Sequence, residues 1–354
     1  MSRSRLAEAG VRLLHDSSGW SAIGLLEGLK LAPALLAKLN WTKREIATNP
    51  PDALVLIDFG AFNVRVARAA RKARVPTLYY LPPGSWSRRP RSRNLGSLVD
   101  TVATQFPWSV GHYLGGARVV WVGHPVLDAI QEGSPAEAIS SYNGHYPNQS
   151  IALLPGSRKL ELELMTPILA DTAILIRKEF PAADFLLPVA SGVRPEAVER
   201  PFRERGLAVT LLQGGDYCAL RRAQVAVVAS GTATLELACL GVPMVVIYRA
   251  PIPTYLQYKV LRGLLRGQRR VGLPNLLLER DVVPEYLQGR CRPELIAREA
   301  VSLLRNPERR ERMRADLAEA VAQLGPAGAS SRTADLVVEL IESRREAMAA
   351  SASK

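Results

Sequence analysis

Along this chain the apolar residues gather in short runs of four or five, separated by longer segments of helical spacing and punctuated by Gly and Pro. Ala53–Ile57, Thr77–Leu81, Ile151–Leu154, Asp184–Pro188, Ala208–Leu212, Val225–Ala229 and Met244–Tyr248 read as strands. They are rich in β-branched residues and continuous rather than alternating, the pattern of strands covered on both faces in a parallel sheet. Helical segments intervene, among them Val64–Lys72 and the stretch from Arg158 to about Phe180. The segment Trp20–Leu39 has helical spacing at Ile23, Leu26 and Leu29, with a break expected at Pro33.

One stretch needs separate treatment. Together with the VAVV before it, ASGTATLELACLGVPMVVIYRA (Ala229–Ala250) forms an apolar run broken by one charge, Glu236. Its length would suit a membrane span. Its punctuation does not: Ser230-Gly231-Thr232 ends one β-branched run, and Gly241-Val242-Pro243 precedes another. The stretch therefore predicts a buried strand–helix–strand unit.

Residues 131–149 are polar and rich in Ser, Pro and Gly, which marks a linker. The expected organisation is a first domain over 1–135, a linker over 136–149, a second domain over 150–330, and a charged helical tail over 331–354 that packs back on the first domain. Two β/α blocks in tandem predict an α/β fold of two doubly wound, Rossmann-like domains facing a cleft.

Composition narrows the chemistry. Cys218, Cys239 and Cys291 and the four histidines show no ligand spacing, so no metal site is expected. Lys and Arg number 46 against 33 Asp and Glu, a net charge of +13. Anionic partners such as phosphorylated substrates or acidic lipid surfaces fit that balance. No nucleic-acid-binding module is recognisable, and none is expected to act here. The N-terminus lacks a secretory layout, so a cytoplasmic location is expected.

Three strand ends carry candidate chemistry. In LLPGSRKLELE, the Gly156-Ser157 turn ahead of a helix would expose N–H groups, and Arg158 would add a phosphate fork; an ordinary turn with a solvated Arg fits as well. Ser230, Gly231, Thr232 and Thr234 place hydroxyls and a glycine at a helix start. Glu236 either complements the helix dipole or accepts hydrogen bonds from a ribose. Asp58 closes the run LVLID and is either a buried base with a raised pKa or a turn cap.

Several segments, in order, resemble the lipid-A-disaccharide synthases, inverting glycosyltransferases of the GT-B fold. LAEAGVRLLHDSSGWSAIGLLEGL, PDALVLIDFGAFN, VWVGHPVLD, LLPGSR, ASGTATLELACLGVPMVVIYRA and VGLPNLLLERDVVPEYLQ each look like a family segment. The resemblance implies a hexosyltransferase that moves the sugar of UDP-2,3-diacylglucosamine onto 2,3-diacylglucosamine 1-phosphate, releasing UDP and needing no cofactor. It makes Asp58 the general base. Gly156, Ser157, Arg158 and the Ser230–Thr234 helix start would hold the diphosphate, and Glu236 the ribose. Asn275 and Gln288 become donor-side candidates, and His124 and Asn63 also match. Ile23, Leu25, Leu26 and Leu29 resemble the part that meets acyl chains at the cytoplasmic surface of the inner membrane, although a core-facing helix fits the same pattern. A homodimer is compatible with the resemblance.

Three departures accompany it. The family's opening strand and its GExSGD loop have no counterpart here, so the first domain is expected to be incomplete. Ala61 stands where the family has Asp, and PPGSWSRRP replaces PSVWAW while keeping Trp86. A UDP-binding homologue with impaired catalysis, or a GT-B enzyme with another acceptor, therefore stands as the alternative.

Overall fold

The structure is a computed structural model that describes residues 6, 9–15, 25–88, 93–133, 149–251, 255 and 270–352. The chain forms two compact units, one from Leu25–Asp128 with Gln323–Lys354, the other from Ala129–Ala322 with the residues before Leu25. Residues 136–148 of the expected linker, and Ile23, lie outside the described residues. Leu25, Leu26 and Leu29 fall in a described helix, but their side chains do not belong to what is described.

The first of these units holds α1 (Leu25–Thr48), β1 (Leu54–Ile57), α2 (Gly60–Lys72), β2 (Thr77–Tyr80), β3 (Thr101–Thr104), β4 (Arg118–Trp121), the start of α3 (Val126–Glu132) and α11 (Ala329–Ala352). Its four strands are parallel, in the order β1-β2-β3-β4. One core cluster joins Leu39 and Ile46 of α1 and Val66, Ala67 and Ala70 of α2 to Tyr79 and Val102 of the sheet. A second cluster sets Leu336 of α11 against Leu78, Tyr80, Ala103 and Val122, with Val337 and Leu340 alongside. β2 and β3 are buried throughout, including their threonines Thr77, Thr101 and Thr104.

Two expectations fail in this unit. Pro33 does not break α1, which runs on to Thr48. A mid-helix proline costs about 3 kcal/mol, but Leu39 and Ile46 beyond it are buried in the core, each worth about 1.5–3 kcal/mol. The strand before Asp58 is not buried on both faces. It is an edge of the described sheet, with Val55 and Ile57 exposed.

The other unit holds β5 (Ser150–Leu154), α4 (Lys159–Glu179), β6 (Asp184–Val189), α5 (Pro195–Arg203), β7 (Thr210–Gln213), α6 (Tyr217–Leu220), β8 (Val225–Ala229), α7 (Ala233–Cys239), β9 (Met244–Tyr248), α8 (Leu273–Leu278), β10 (Glu285–Leu287), α9 (Pro293–Arg305) and α10 (Pro307–Ala322). All six strands are parallel, in the order β10-β9-β8-β5-β6-β7. Counted from β5 this is the doubly wound order 3-2-1-4-5-6, whose direction reverses between β5 and β8. The stretch Ala229–Ala250 is β8's end, α7 and β9, and both strands are buried in the centre of the sheet. Among the described residues, no helix is long and apolar enough to cross a membrane.

Candidate functional site

Strand order decides where a ligand can enter: in such sheets the crevice lies beyond the carboxyl ends at the point of reversal. A pocket of about 750 Å³ opens there, within the range of small-molecule sites. Gly156, Ser157 and Arg158 line it from the end of β5, and Ser230, Gly231, Thr232 and Glu236 from the end of β8 and α7. Two turns 74 residues apart in sequence thus share one pocket because β5 pairs directly with β8.

The Gly156–Arg158 turn is built around Glu161, a residue the sequence reading passed over. Its carboxylate accepts the N–H groups of Ser157 and Arg158 at 3.2 and 3.3 Å and pairs with the Arg158 guanidinium at 2.8 Å. The side chain is almost fully buried beneath the turn. Gly156 has φ +104°, and a Cβ there would sit 2.6 Å from the Glu161 carboxylate, so no other residue fits. The expectation that this turn offers free N–H donors to a phosphate is therefore corrected: Glu161, at the third helical position, already fills that place. What the turn does present is Arg158, whose side chain is half exposed. One ion pair leaves the other donors of its fork unspent.

At the second turn the residues divide. Ser230 Oγ donates to Val271 O at 2.8 Å. Thr234, fully buried, donates to Gly231 O at 2.8 Å and accepts from Leu273 N at 3.3 Å. These two hydroxyls tie the 271–273 segment to α7. Thr232 is exposed, and among the described residues its N–H and that of Ala233 have no partner. Glu236 lies farther in. Burial pushes its carboxyl above the ordinary range, and the Tyr217 hydroxyl, donating to it, offsets part of that rise. Tyr217 lines the same pocket and was also missed; nothing in the sequence pairs it with Glu236.

Asn275 and Gln288 do not join the pocket. Asn275 is 1% exposed, and its amide is saturated. Nδ2 donates to Val283 O and Glu285 Oε1, both at 2.8 Å, while Oδ1 accepts from Val282 N and Val283 N at 2.7 and 2.9 Å. Glu285 in turn accepts the N–H groups of Val271 and Gly272. Gln288, oriented so that both amide atoms are satisfied, pairs with the backbone of Ala250. Both residues fasten backbone segments outside the pocket lining.

In the unit of β1–β4, Asp58 is exposed at the end of β1. The buried-strand reading fails at this position, because the residue lies at the surface. Its backbone is the notable feature. Asp58 and Phe59 both take positive φ, 48° and 37°, a strain of about 1–3 kcal/mol each for non-glycine residues. The turn is over-determined: the Tyr79 hydroxyl donates to Asp58 O at 2.7 Å, and Asn63 Nδ2 donates to Ile57 O and Asp58 O at 2.9 Å. Asn63 thus shapes the turn that carries Asp58. His124 accepts from Val126 N at 3.1 Å and packs against Phe106. Burial pulls its pKa down to about 4, so the ring is neutral and structural.

Sequence comparison decides between the families that share such sheets. Residues 1–340 match the family described as lipid-A-disaccharide synthetase. The chain belongs to the lipid-A-disaccharide synthase family. A lipid-A-disaccharide synthase from Geobacter metallireducens is 35% identical over 340 residues, covering 95% of this chain and 88% of the relative. One from Myxococcus xanthus is 34% identical over 344 residues, covering 96% and 89%. Family members are hexosyltransferases, and the solved structures show the fold they share with other GT-B proteins. A putative UDP-N-acetylglucosamine 2-epimerase from Listeria monocytogenes superposes with a TM-score of 0.61 at 15% identity, over 98% of this chain and 86% of its own. The UDP-GlcNAc 2-epimerase from Neisseria meningitidis, solved with UDP-GlcNAc bound, gives 0.59 at 13% identity, over 94% and 87%. At such identities the likeness concerns the fold alone.

Proposed function

We propose that this protein transfers the glucosamine unit of UDP-2,3-diacylglucosamine to 2,3-diacylglucosamine 1-phosphate, forming the lipid A disaccharide 1-phosphate and UDP. The observation that carries the reading is the pocket at the β5–β8 reversal, in a chain of this family, with a cation and a buried carboxylate suited to the two ends of a nucleoside diphosphate. Arg158 binds the diphosphate and stabilises the charge that grows on it as the glycosidic bond breaks. The N–H groups of Thr232 and Ala233 add uncharged donors to the same anion. Glu236, oriented by Tyr217, accepts from the ribose hydroxyls. Asp58 takes the proton from the acceptor's hydroxyl as its oxygen attacks the anomeric carbon, and the configuration inverts.

An acylated acceptor implies work at a lipid surface, and Leu25, Leu26 and Leu29 near the start of α1, with Ile23 before it, are the proposed acyl contacts at the cytoplasmic face of the inner membrane. Mass spectrometry of both products, from the two diacylglucosamine substrates in detergent micelles, tests the reading. Disaccharide and UDP should accumulate together with the native protein, and Asp58→Asn should lower turnover at least 100-fold. UDP binding without any product would instead establish a nucleotide-binding homologue without this activity.

A further inference from the structure

The excess of positive charge is not spread evenly over the unit of β1–β4. Between α1 and α2 lies an open groove of about 680 Å³, lined by Lys43, Arg65, Arg68 and Lys72 over a floor that includes Ala47 and Ala69. Arg65, Arg68 and Lys72 are at i, i+3 and i+7 on α2, so one face of that helix carries all three. Lys43 faces them from α1.

None of the four cations has an ion-pair partner among the described residues. Arg65 makes one bond, to Ala61 O, within its own helix. The groove's lining contains no acid, and Glu45, the acid nearest to Lys43 in sequence on α1, accepts from the Asn49 amide at 3.0 Å. α2 itself contains no acid at all. Four like charges in one concavity repel one another and destabilise the apo fold, and a bound anion would relieve that.

We propose that this groove is a docking site for the phosphodiester headgroups of anionic lipids, separate from the nucleotide pocket. Its chemistry favours a lipid surface over a nucleic acid. The floor is alanine and proline, with no aromatic side chain on which a base would stack. Leu36, 54% exposed, precedes Lys43 by seven residues on the same face of α1, so an apolar contact adjoins the cationic one. A polybasic surface patch beside apolar side chains is the arrangement that holds proteins at acidic membranes. The inference rests on the reading that the enzyme's lipid substrates are met at a membrane, and it adds the element that orients the protein there.

Sedimentation with vesicles of phosphatidylcholine, with and without phosphatidylglycerol, tests it on the full chain. The native protein should bind the anionic vesicles and not the neutral ones. Arg65→Gln with Arg68→Gln should weaken that binding about 30-fold, roughly fivefold for each cation lost. Arg298→Gln with Arg312→Gln removes the same charge from exposed positions in the other unit and should have much less effect. Arg65→Lys with Arg68→Lys should bind nearly as well as the native protein, which rules out misfolding as the cause of the loss. Equal losses in the two Gln pairs would overturn the proposal, because bulk charge would then suffice. So would equal binding to neutral vesicles, displacement by inorganic phosphate, or a groove that retains a nucleic acid and no vesicle. Turnover in detergent micelles, measured on the same variants, should be unchanged. If the native protein shows no turnover while the vesicle pattern holds, the proposed reaction fails and the groove stands.

Discussion

At the scale of single residues, the nucleotide pocket sets one cation, Arg158, against three carboxylates, Glu161, Asp216 and Glu236. Glu161 holds Arg158 by a 2.8 Å bond and takes the turn's own N–H groups, so the helix dipole is already satisfied when a ligand arrives. At this turn the diphosphate must then depend on the guanidinium's remaining donors. Charge-assisted hydrogen bonds are worth about 1.5–3 kcal/mol each. Arg158→Ala should therefore weaken UDP about 10- to 100-fold in a calorimetric titration while leaving uridine unaffected. A parallel loss for uridine would show that the turn had collapsed and that Arg158 acts on shape instead of charge.

At the scale of elements, the GHP segment after β4 works as a splice between distant parts of one unit. His124 N–H donates to Leu324 O, and the Asp128 carboxylate at the start of α3 accepts the N–H groups of Gly328, Ala329 and Ser330, capping α11. Burial alone would raise the Asp128 pKa, but those backbone donors outweigh it and leave the pKa below its ordinary value. His124 runs the other way in charge. It titrates at about 4 in the fold against 6.5 for a free histidine, so between those values the unfolded chain binds more protons. Its contribution to stability is complete above about pH 6.5 and is lost as the pH falls through that window. The upper bound is about 3 kcal/mol, and solvent reaching the half-buried ring reduces it. Asp128 acts at lower pH, its share being lost as the pH falls through its depressed value. Urea midpoints of the native protein should drop between about pH 6.5 and 4, and His124→Asn, which keeps an acceptor for Val126 N but cannot titrate, should flatten that limb.

The same comparison of elements shows what a sequence carries. Buried parallel strands were legible because burial on both faces leaves short, mostly apolar and β-branched runs without alternation, and the Gly156 turn because its positive φ favours glycine. Strand order was not legible: nothing in the runs says that β5 lies beside β8, and that adjacency is what makes one pocket of two turns. Glu161 left a signal, an acid three residues past the turn. Asn275 and Glu285 left none, since two polar residues ten apart look alike whether they bind a ligand or saturate each other. Asp58 looked buried because its run is apolar, but β1 is an edge strand of the described sheet with one face open.

At the scale of the whole molecule, the two proposed chemical roles fall in different compact units, and this separates them experimentally. The nucleotide pocket is made entirely by the unit of β5–β10, whereas Asp58 belongs to the unit of β1–β4. A ligand that binds only the folded state stabilises it by RT ln(1 + [L]/Kd), about 2.7 kcal/mol when the ligand stands at a hundredfold over its Kd. At roughly 2–4 °C per kcal/mol for a unit of this size, UDP should raise the melting transition of the β5–β10 unit by about 5–10 °C. Glu236→Gln, at the same UDP concentration, should shrink that shift, because an amide offers the ribose one acceptor oxygen where the carboxyl group offers two. Asp58→Asn should leave it whole while abolishing turnover. A shift lost in Asp58→Asn would mean that the strained turn at Asp58 and Phe59 takes part in holding UDP, and the assignment of Asp58 to proton transfer alone would have to be given up.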